Sequence, residues 1–489
     1  MSDTVGIAVP AQRAPARARA ALLSRLARPG REPGTAADWA PHLALAVLLF
    51  AAYALLELLR YQRFGSPSWD LGIFTEEVKG YAHLGAPVAA IKGPGFHALG
   101  DHWSPILVLI APFFRLFPSA ATLLVAQAAL FAWSAGVVSD TAARLLTRNR
   151  GLLIGLAYGL SWGLQRALDA EFHEIAFAVP LLALTARQLL LGRYDQAAWW
   201  ALPLVLVKED MGLTVAAVGV VLLCSARRWY TGTVLVAFGL AFTVLTIVVL
   251  IPHFNPQHHY DYWSKLPGGS RPHLWQVISG PFSRLTVWKT TGWLLGIVGF
   301  VALRSPLVVL ALPTLAWRFS SSNSMFWGPD WHYNATLMPI LFLALVDVLH
   351  RMGRSASPGV RAFADGLVPA VTGISAACLV SLPVGLGGLA APSAWSGGAH
   401  AAALRAAIRQ IPPGVRVEAS LSPLAALSAR DDIYWLGGSK PVAPDYLLID
   451  LAGWTDAPTD LPGYGAALHP GVAYTVVFDE RQVAVLRRK

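Results

Sequence analysis

The chain has 489 residues, 55% of them hydrophobic and only 13% charged, against roughly a quarter charged in ordinary soluble domains. These figures exclude both a soluble globular protein and a disordered one, and place most of the mass in lipid. A net charge of +10 fits basic loops on the inner face of a membrane, and no nucleic acid is needed to explain it.

Residues 1–40 carry six Arg and three acids among Ala and Pro, which predicts a disordered cytoplasmic arm. The arm is no cleavable secretory signal, because its basic stretch is too long and no small-residue cleavage site follows the apolar run. An Arg-rich organellar presequence stays open as the weaker alternative. About eleven apolar segments follow, near 41–60, 119–141, 150–168, 175–191, 197–207, 211–226, 230–251, 290–303, 306–319, 335–350 and 365–390. The pair within 197–226 is short. Roughly 30 residues cover about 45 Å, where two full crossings need about 60 Å. The turn Lys208-Glu209-Asp210 is therefore expected to sit recessed within the membrane profile. The pair within 290–319 has the same shortfall around Arg304. Segment 103–117, with Arg115 and two prolines, is expected to lie at the interface.

With the N-terminus inside, the inner loops carry eleven basic residues against four acids, Asp140, Asp195, Asp347 and Asp365. The outer face carries twelve of each sign, an asymmetry that obeys the positive-inside rule. Residues 395–489, with nine basic and nine acidic side chains, then form an outer domain. It is expected to be α/β: a helix over about 399–410 with Ala402, Leu404, Ala407 and Ile408 inward, strands near 415–419, 432–436 and 445–451, and a hairpin near 472–487. Cys224 and Cys378 lie in apolar runs and offer no disulfide framework or zinc site.

The outer acids come in five knots at the mouths of apolar segments. They are Trp69-Asp70-Leu71-Gly72, His97 to Pro105 with Asp101 and His102, Asp169 to Glu174 with Glu171 and His173, Lys208-Glu209-Asp210, and Asp330-Trp331-His332-Tyr333. Charges at membrane depth mark functional sites by default, and five knots on one face can converge on one cavity. Each has a structural alternative. Asp70 can be a cap, and Asp101 and His102 can cap the helix start at Ser104-Pro105. Glu171, His173 and Glu174 can form a hydrated loop, and Lys208-Glu209-Asp210 a self-neutralised turn. His258-His259 fits an exposed loop, and Trp263, Trp275, Trp288 and Trp293 fit interfacial anchors. A divalent metal is a candidate cofactor, with Asp70, His102 and His173 as candidate ligands, although no fixed ligand spacing supports it. A P-loop and a GxGxxG dinucleotide motif do not occur in the sequence.

These knots, with Ile411-Pro412-Pro413-Gly414, Leu427-Ser428-Ala429-Arg430 and Asp445-Tyr446, resemble the bacterial membrane family catalogued as domain of unknown function 2079, over about 45–450. That family looks like a branch of the GT-C membrane glycosyltransferases. The resemblance implies an α-helical polytopic membrane protein of about eleven transmembrane helices, GT-C-like over 41–390 with a long outer loop 61–118. A small extracytoplasmic α/β domain, 395–489, completes it. It also implies a bacterial cytoplasmic-membrane enzyme moving a sugar from a polyprenyl-phosphate donor to an extracytoplasmic glycan or protein acceptor, with inversion and with Asp70 as base. Asp101, His102, Glu171, His173, Lys208, Glu209, Asp210, His332 and Tyr333 would bind substrate. Where the lipid A aminoarabinose transferases open their interfacial helix with Lys-Pro, this chain has Trp103-Ser104-Pro105. Lys79, Lys92 or Lys208 is the substitute for the missing phosphate contact. The family's acid after the third crossing is matched by Asp169 or Glu171. Two rival readings use the same charges: a transporter or flippase of a lipid-linked intermediate, favoured by internal repeats that are not evident, and a non-catalytic assembly protein acting through its outer domain.

Overall fold

The computed structural model describes residues 36–65, 68–269, 273–382 and 385–489. The expected N-terminal arm lies outside the described residues up to position 35, and helix Ala36–Gln62 already occupies its last positions. Five helices are long and apolar enough to cross a membrane by length and composition: Asp38–Gln62, Ala120–Leu145, Trp229–Phe254, His332–Met352 and Pro358–Ser381. Pro105–Leu116, Met211–Ser225 and Pro306–Ser320 are shorter apolar helices.

The gap between five such helices and about eleven apolar segments has a local cause. A proline removes a backbone donor and clashes with the preceding turn, and polar residues offer the backbone other partners. The run 150–168 breaks at Leu160-Ser161 into helices Arg148–Gly159 and Trp162–Asp169. The run 197–207 is part of helix Tyr194–Ala201 and then a 3₁₀ turn, Leu202–Leu206, containing Pro203. Segment 306–319 opens as a 3₁₀ turn at Pro306 before helix Leu312–Ser320.

Side-chain caps fix several starts. Ser119 accepts from the amide of Ala121, and Thr147 from that of Arg150, as expected for residues that satisfy orphaned N–H groups. Helix Arg148–Gly159 then packs along a glycine face. A Cβ on Gly151 would stand 2.6 Å from Ala143, and one on Gly155 2.4 Å from Ser139. Such a stripe lets two backbones approach closely where lipid supplies no hydrophobic drive.

The four acids assigned to the inner face are all in ion pairs. Asp140 meets Arg144 at 2.8 Å and Arg187 at 2.7 Å. Asp347 meets Arg351 at 2.8 Å, Asp365 meets Arg150 at 2.6 Å and Asp195 meets Arg228 at 3.2 Å.

The C-terminal region forms a five-stranded sheet in the order β2-β1-β3-β5-β4. The strands are β1 Arg416–Ala419, β2 Asp432–Trp435, β3 Tyr446–Asp450, β4 Tyr474–Glu480 and β5 Val483–Arg488. β1 pairs in parallel with β2 and β3, while the β4–β5 hairpin joins antiparallel with Leu448 opposite Val485. Helix Gly398–Arg409 covers it with Leu404 and Ala407 buried. Ala402, expected inward, is exposed, and its neighbours Ala401 and Ala403 are buried instead. The true face therefore runs one residue to either side of the expected one.

Helix Trp69–Ala82 joins the two regions. Leu71, Phe74 and Val78 pack in the main helical core, while Ile73 belongs to the sheet domain's core with Leu424, Leu427 and Val417. Lys79 Nζ donates to the carbonyls of Ser428 (2.8 Å) and Asp431 (2.7 Å).

Candidate functional site

Ser68, at φ 60°, turns the chain into helix Trp69–Ala82 and leaves Asp70 in its first turn, where the helix dipole favours a carboxylate. The Asp70 side chain is 51% exposed, and it opens into a cavity of about 280 Å³. His173 Nε2 donates to Asp70 Oδ2 at 3.2 Å, and the His173 ring stacks on His332 with centroids 3.5 Å apart. Burial pushes the Asp70 carboxyl up, but the hydrogen bond and charge of His173, with His102 and Lys208, outweigh it and hold the group below its ordinary value.

A second cluster faces the same cavity. His102 Nδ1 donates to Glu209 Oε1 at 2.9 Å, and Tyr262 Oη lies 2.6 Å from His102 Nε2. Tyr260 Oη donates to the same Glu209 oxygen at 3.1 Å. Burial and Lys208 oppose a charge on His102, but Glu209, aided by Asp101, prevails and raises its pKa. Lys208 Nζ meets Glu174 Oε1 at 2.5 Å, with both side chains nearly buried.

The turn at Trp331 (φ 65°) and the 3₁₀ turn His332–Asn334 bring His332 and Tyr333 to the cavity. Fully buried Arg318 holds that loop by donating to the carbonyls of Phe326 (3.0 Å) and Gly328 (3.0 Å) and to Asn334 Oδ1 (2.9 Å).

Seven of the nine residues singled out beside Asp70 line this cavity with it: His102, His173, Lys208, Glu209, Asp210, His332 and Tyr333. Two lie outside the lining. Asp101 is paired with Lys92 at 2.5 Å. Glu171, at φ 66°, is buried, with its carboxylate accepting from the amide of Ser68 (3.2 Å) and its carbonyl from Gln127 (3.0 Å). Both therefore serve the walls. Asp169 likewise is held by Arg60 and by the amide of Gly385. Of the lysines offered for a phosphate, Lys79 caps carbonyls of the sheet domain, Lys92 is neutralised by Asp101, and Lys208 by Glu174.

The residues missed are Tyr260, Tyr262, Lys265 and Trp317, which also line the cavity. Lys265 forms no ion pair among the described residues, and its carbonyl ties down Ser321 and Ser322. Its signal was a cation amid aromatics in Tyr260-Asp261-Tyr262-Trp263-Ser264-Lys265, inside a loop that has no period to mark it.

Among the described residues no group of three or more His, Cys, Asp or Glu side chains is placed to hold a metal ion. Asp70 and His173 do meet, but both ring nitrogens of His102 are engaged by Glu209 and Tyr262. Among the described residues Asp70, His102 and His173 therefore do not assemble as a ligand set.

Comparison with known proteins adds the following. A family model described as "Predicted membrane protein (DUF2079)" matches residues 60–463. The fold is similar to two crystal structures of ArnT from Cupriavidus metallidurans. The apo form is 13% identical with a TM-score of 0.45, covering 90% of this chain and 97% of that chain. The form bound to undecaprenyl phosphate is 15% identical with the same TM-score and coverage. No curated protein matches the sequence.

Proposed function

The chain thus belongs to the predicted membrane-protein family of domain of unknown function 2079, and from that premise we propose that it is an integral-membrane glycosyltransferase of the bacterial cytoplasmic membrane. It would move a sugar from a polyprenyl-phosphate donor to a hydroxyl of an extracytoplasmic acceptor, with inversion. The observation that carries this reading is one cavity that holds three different environments. An ionised carboxylate, Asp70, stands beside His173; a cation in no ion pair among the described residues, Lys265, stands elsewhere in the lining; and Leu213, Ile247 and Leu266 supply an apolar wall. The wall suits a lipid chain, the cation a phosphate, and the carboxylate a hydroxyl.

In the proposed step the acceptor oxygen bonds to the anomeric carbon as the bond from that carbon to the phosphate oxygen breaks. The phosphate leaves with the electron pair, and the hydroxyl proton passes to Asp70. A carboxylate held below its ordinary pKa is a weak base, so the transfer comes late, once bonding has acidified the hydroxyl. His173 orients Asp70 and keeps it ionised. Lys265 stabilises the departing phosphate.

The test is sugar transfer by the full chain in vesicles supplied with a radiolabelled polyprenyl-phosphate sugar, read as released polyprenyl phosphate. Asp70→Asn is expected to lower kcat by about 10²–10⁴. Lys265→Ala is expected to raise the donor KM about tenfold, as for loss of one charge-assisted contact. Wild-type kcat in Asp70→Asn removes Asp70 as the base.

A further inference from the structure

A second cavity, of about 530 Å³, lies away from Asp70, where the first span meets the sheet domain. Its walls come from the C-terminal end of helix Ala36–Gln62 and the residues just after it, from Trp395, and from helix Gly398–Arg409. Three arginines line it, Arg63, Arg405 and Arg409, and among the described residues no carboxylate does. Among the described residues none of the three is in an ion pair.

Two of the guanidinium groups are held in place by the backbone. Arg63 donates through Nη1 to the carbonyl of Ser393 (2.6 Å) and through Nε to that of Leu59 (3.0 Å). Arg405 donates through Nη1 to the carbonyl of Gln62 at 2.7 Å and packs on Gly397, where a Cβ would stand 3.2 Å from its Nη2. Carbonyls fix these groups without cancelling their charge. Three like charges gathered around one cavity are mutually repulsive, and an anion relieves that repulsion. The cavity also sits at the end of a helix long enough to cross a membrane, so it stands at headgroup level. Trp395, 57% exposed, lies in the lining as an amphipathic ring does at that level.

We propose that the Arg63–Arg405–Arg409 cavity binds the phosphate of an anionic membrane-lipid headgroup, in the leaflet on the side of the sheet domain. The guanidinium fork suits a phosphate better than an ammonium would, since it presents paired donors. The phosphate could equally be free in solution, and the test separates the two sources. The site does not depend on the transferase reading, because none of its residues lines the Asp70 cavity.

The test uses the full chain in detergent, titrated by native mass spectrometry with phosphatidylglycerol and with phosphatidylcholine, and by calorimetry with inorganic phosphate. Phosphatidylglycerol affinity is expected to fall about fivefold for each arginine lost, and so about 25-fold in Arg405→Gln/Arg409→Gln, with phosphatidylcholine unaffected. The Arg409 side chain makes no hydrogen bond among the described residues, so Arg409→Gln alone tests the charge without touching the seam. Arg409→Lys restores most of the affinity. Equal binding of both phosphatidylglycerol and inorganic phosphate by wild type and the double variant overturns the site. Phosphate binding that is lost in the variants while phosphatidylglycerol binding is kept overturns the lipid assignment.

Discussion

The structure gives Lys208 a structural duty that a double-variant cycle can measure. Lys208 Nζ stands 2.5 Å from Glu174 Oε1, and the two side chains are only 12% and 1% exposed. The other oxygen, Glu174 Oε2, has no partner among the described residues. At this distance the gross attraction is about 7 kcal/mol for an effective dielectric near 20, and desolvation of both ions offsets most of it. Removing one partner strands a buried charge and costs about 3–5 kcal/mol. Removing both leaves no charge behind. Lys208→Met and Glu174→Gln are each expected to destabilise by that amount, and the double variant to recover about 2–4 kcal/mol of it. Unfolding would be followed in mixed micelles at fixed detergent ratio, with donor KM measured alongside. Additive losses, with no recovery in the double variant, refute the ion-pair argument. A donor KM that rises in the double variant as much as in Lys265→Ala returns the phosphate contact to Lys208.

Asp70 is held below its ordinary pKa chiefly against burial, by His173 first. The acid limb of kcat/KM is therefore expected below about pH 4, and His173→Gln moves it upward; a limb that stays put in the pH profile assigns the effect elsewhere. Glu76 and Glu77 are both pushed by burial to about 8. Their folded values exceed their unfolded ones, so the folded state keeps protons that the unfolded state has released, and stability declines as pH rises from about 4.5 to about 8. Glu77→Gln flattens that decline, as read by unfolding at pH 5, 6.5 and 8; an unchanged slope contradicts the assignment. Helices Met211–Ser225 and Trp229–Leu245 touch at glycines, where a Cβ on Gly239 would stand 2.3 Å from the carbonyl of Gly212. Gly239→Leu forces them apart, lowers stability by about 1–3 kcal/mol as overpacking does, and displaces Thr243 and Ile247 from the cavity wall; wild-type stability and KM would refute the contact.

The convergence of the acid knots was legible in the sequence because the cost of burying charge concentrates it where work is done. Asp70, His102, His173, Lys208 and His332 come from connections far apart in the chain and share one cavity. The sheet domain was legible because period-two alternation and turn residues mark strands locally. Its register with Ile73 and Leu424 was not, because that packing joins residues some 350 positions apart. Tyr260 and Tyr262 escaped notice because they are joined to the site only through Glu209 and His102. The division of the apolar runs into short helices turns on how each proline and serine is accommodated by its neighbours, which hydrophobicity alone does not encode.

Helix Trp69–Ala82 has one face in the main helical core and the other in the sheet domain. The carboxylate at its start is thus seated on a shared beam, and neither half of the protein holds it alone. Cutting the chain near residue 395 would strip Leu424, Leu427 and the Ser428 and Asp431 carbonyls from that beam. Activity lost on such truncation would report a displaced Asp70, even if the sheet domain never touches an acceptor. Separating the two roles needs substitutions on the sheet domain's far edge, along β4, which leave the beam in place, since β2 packs on it through Trp435 against Trp69 and Ile433 beside Ile73.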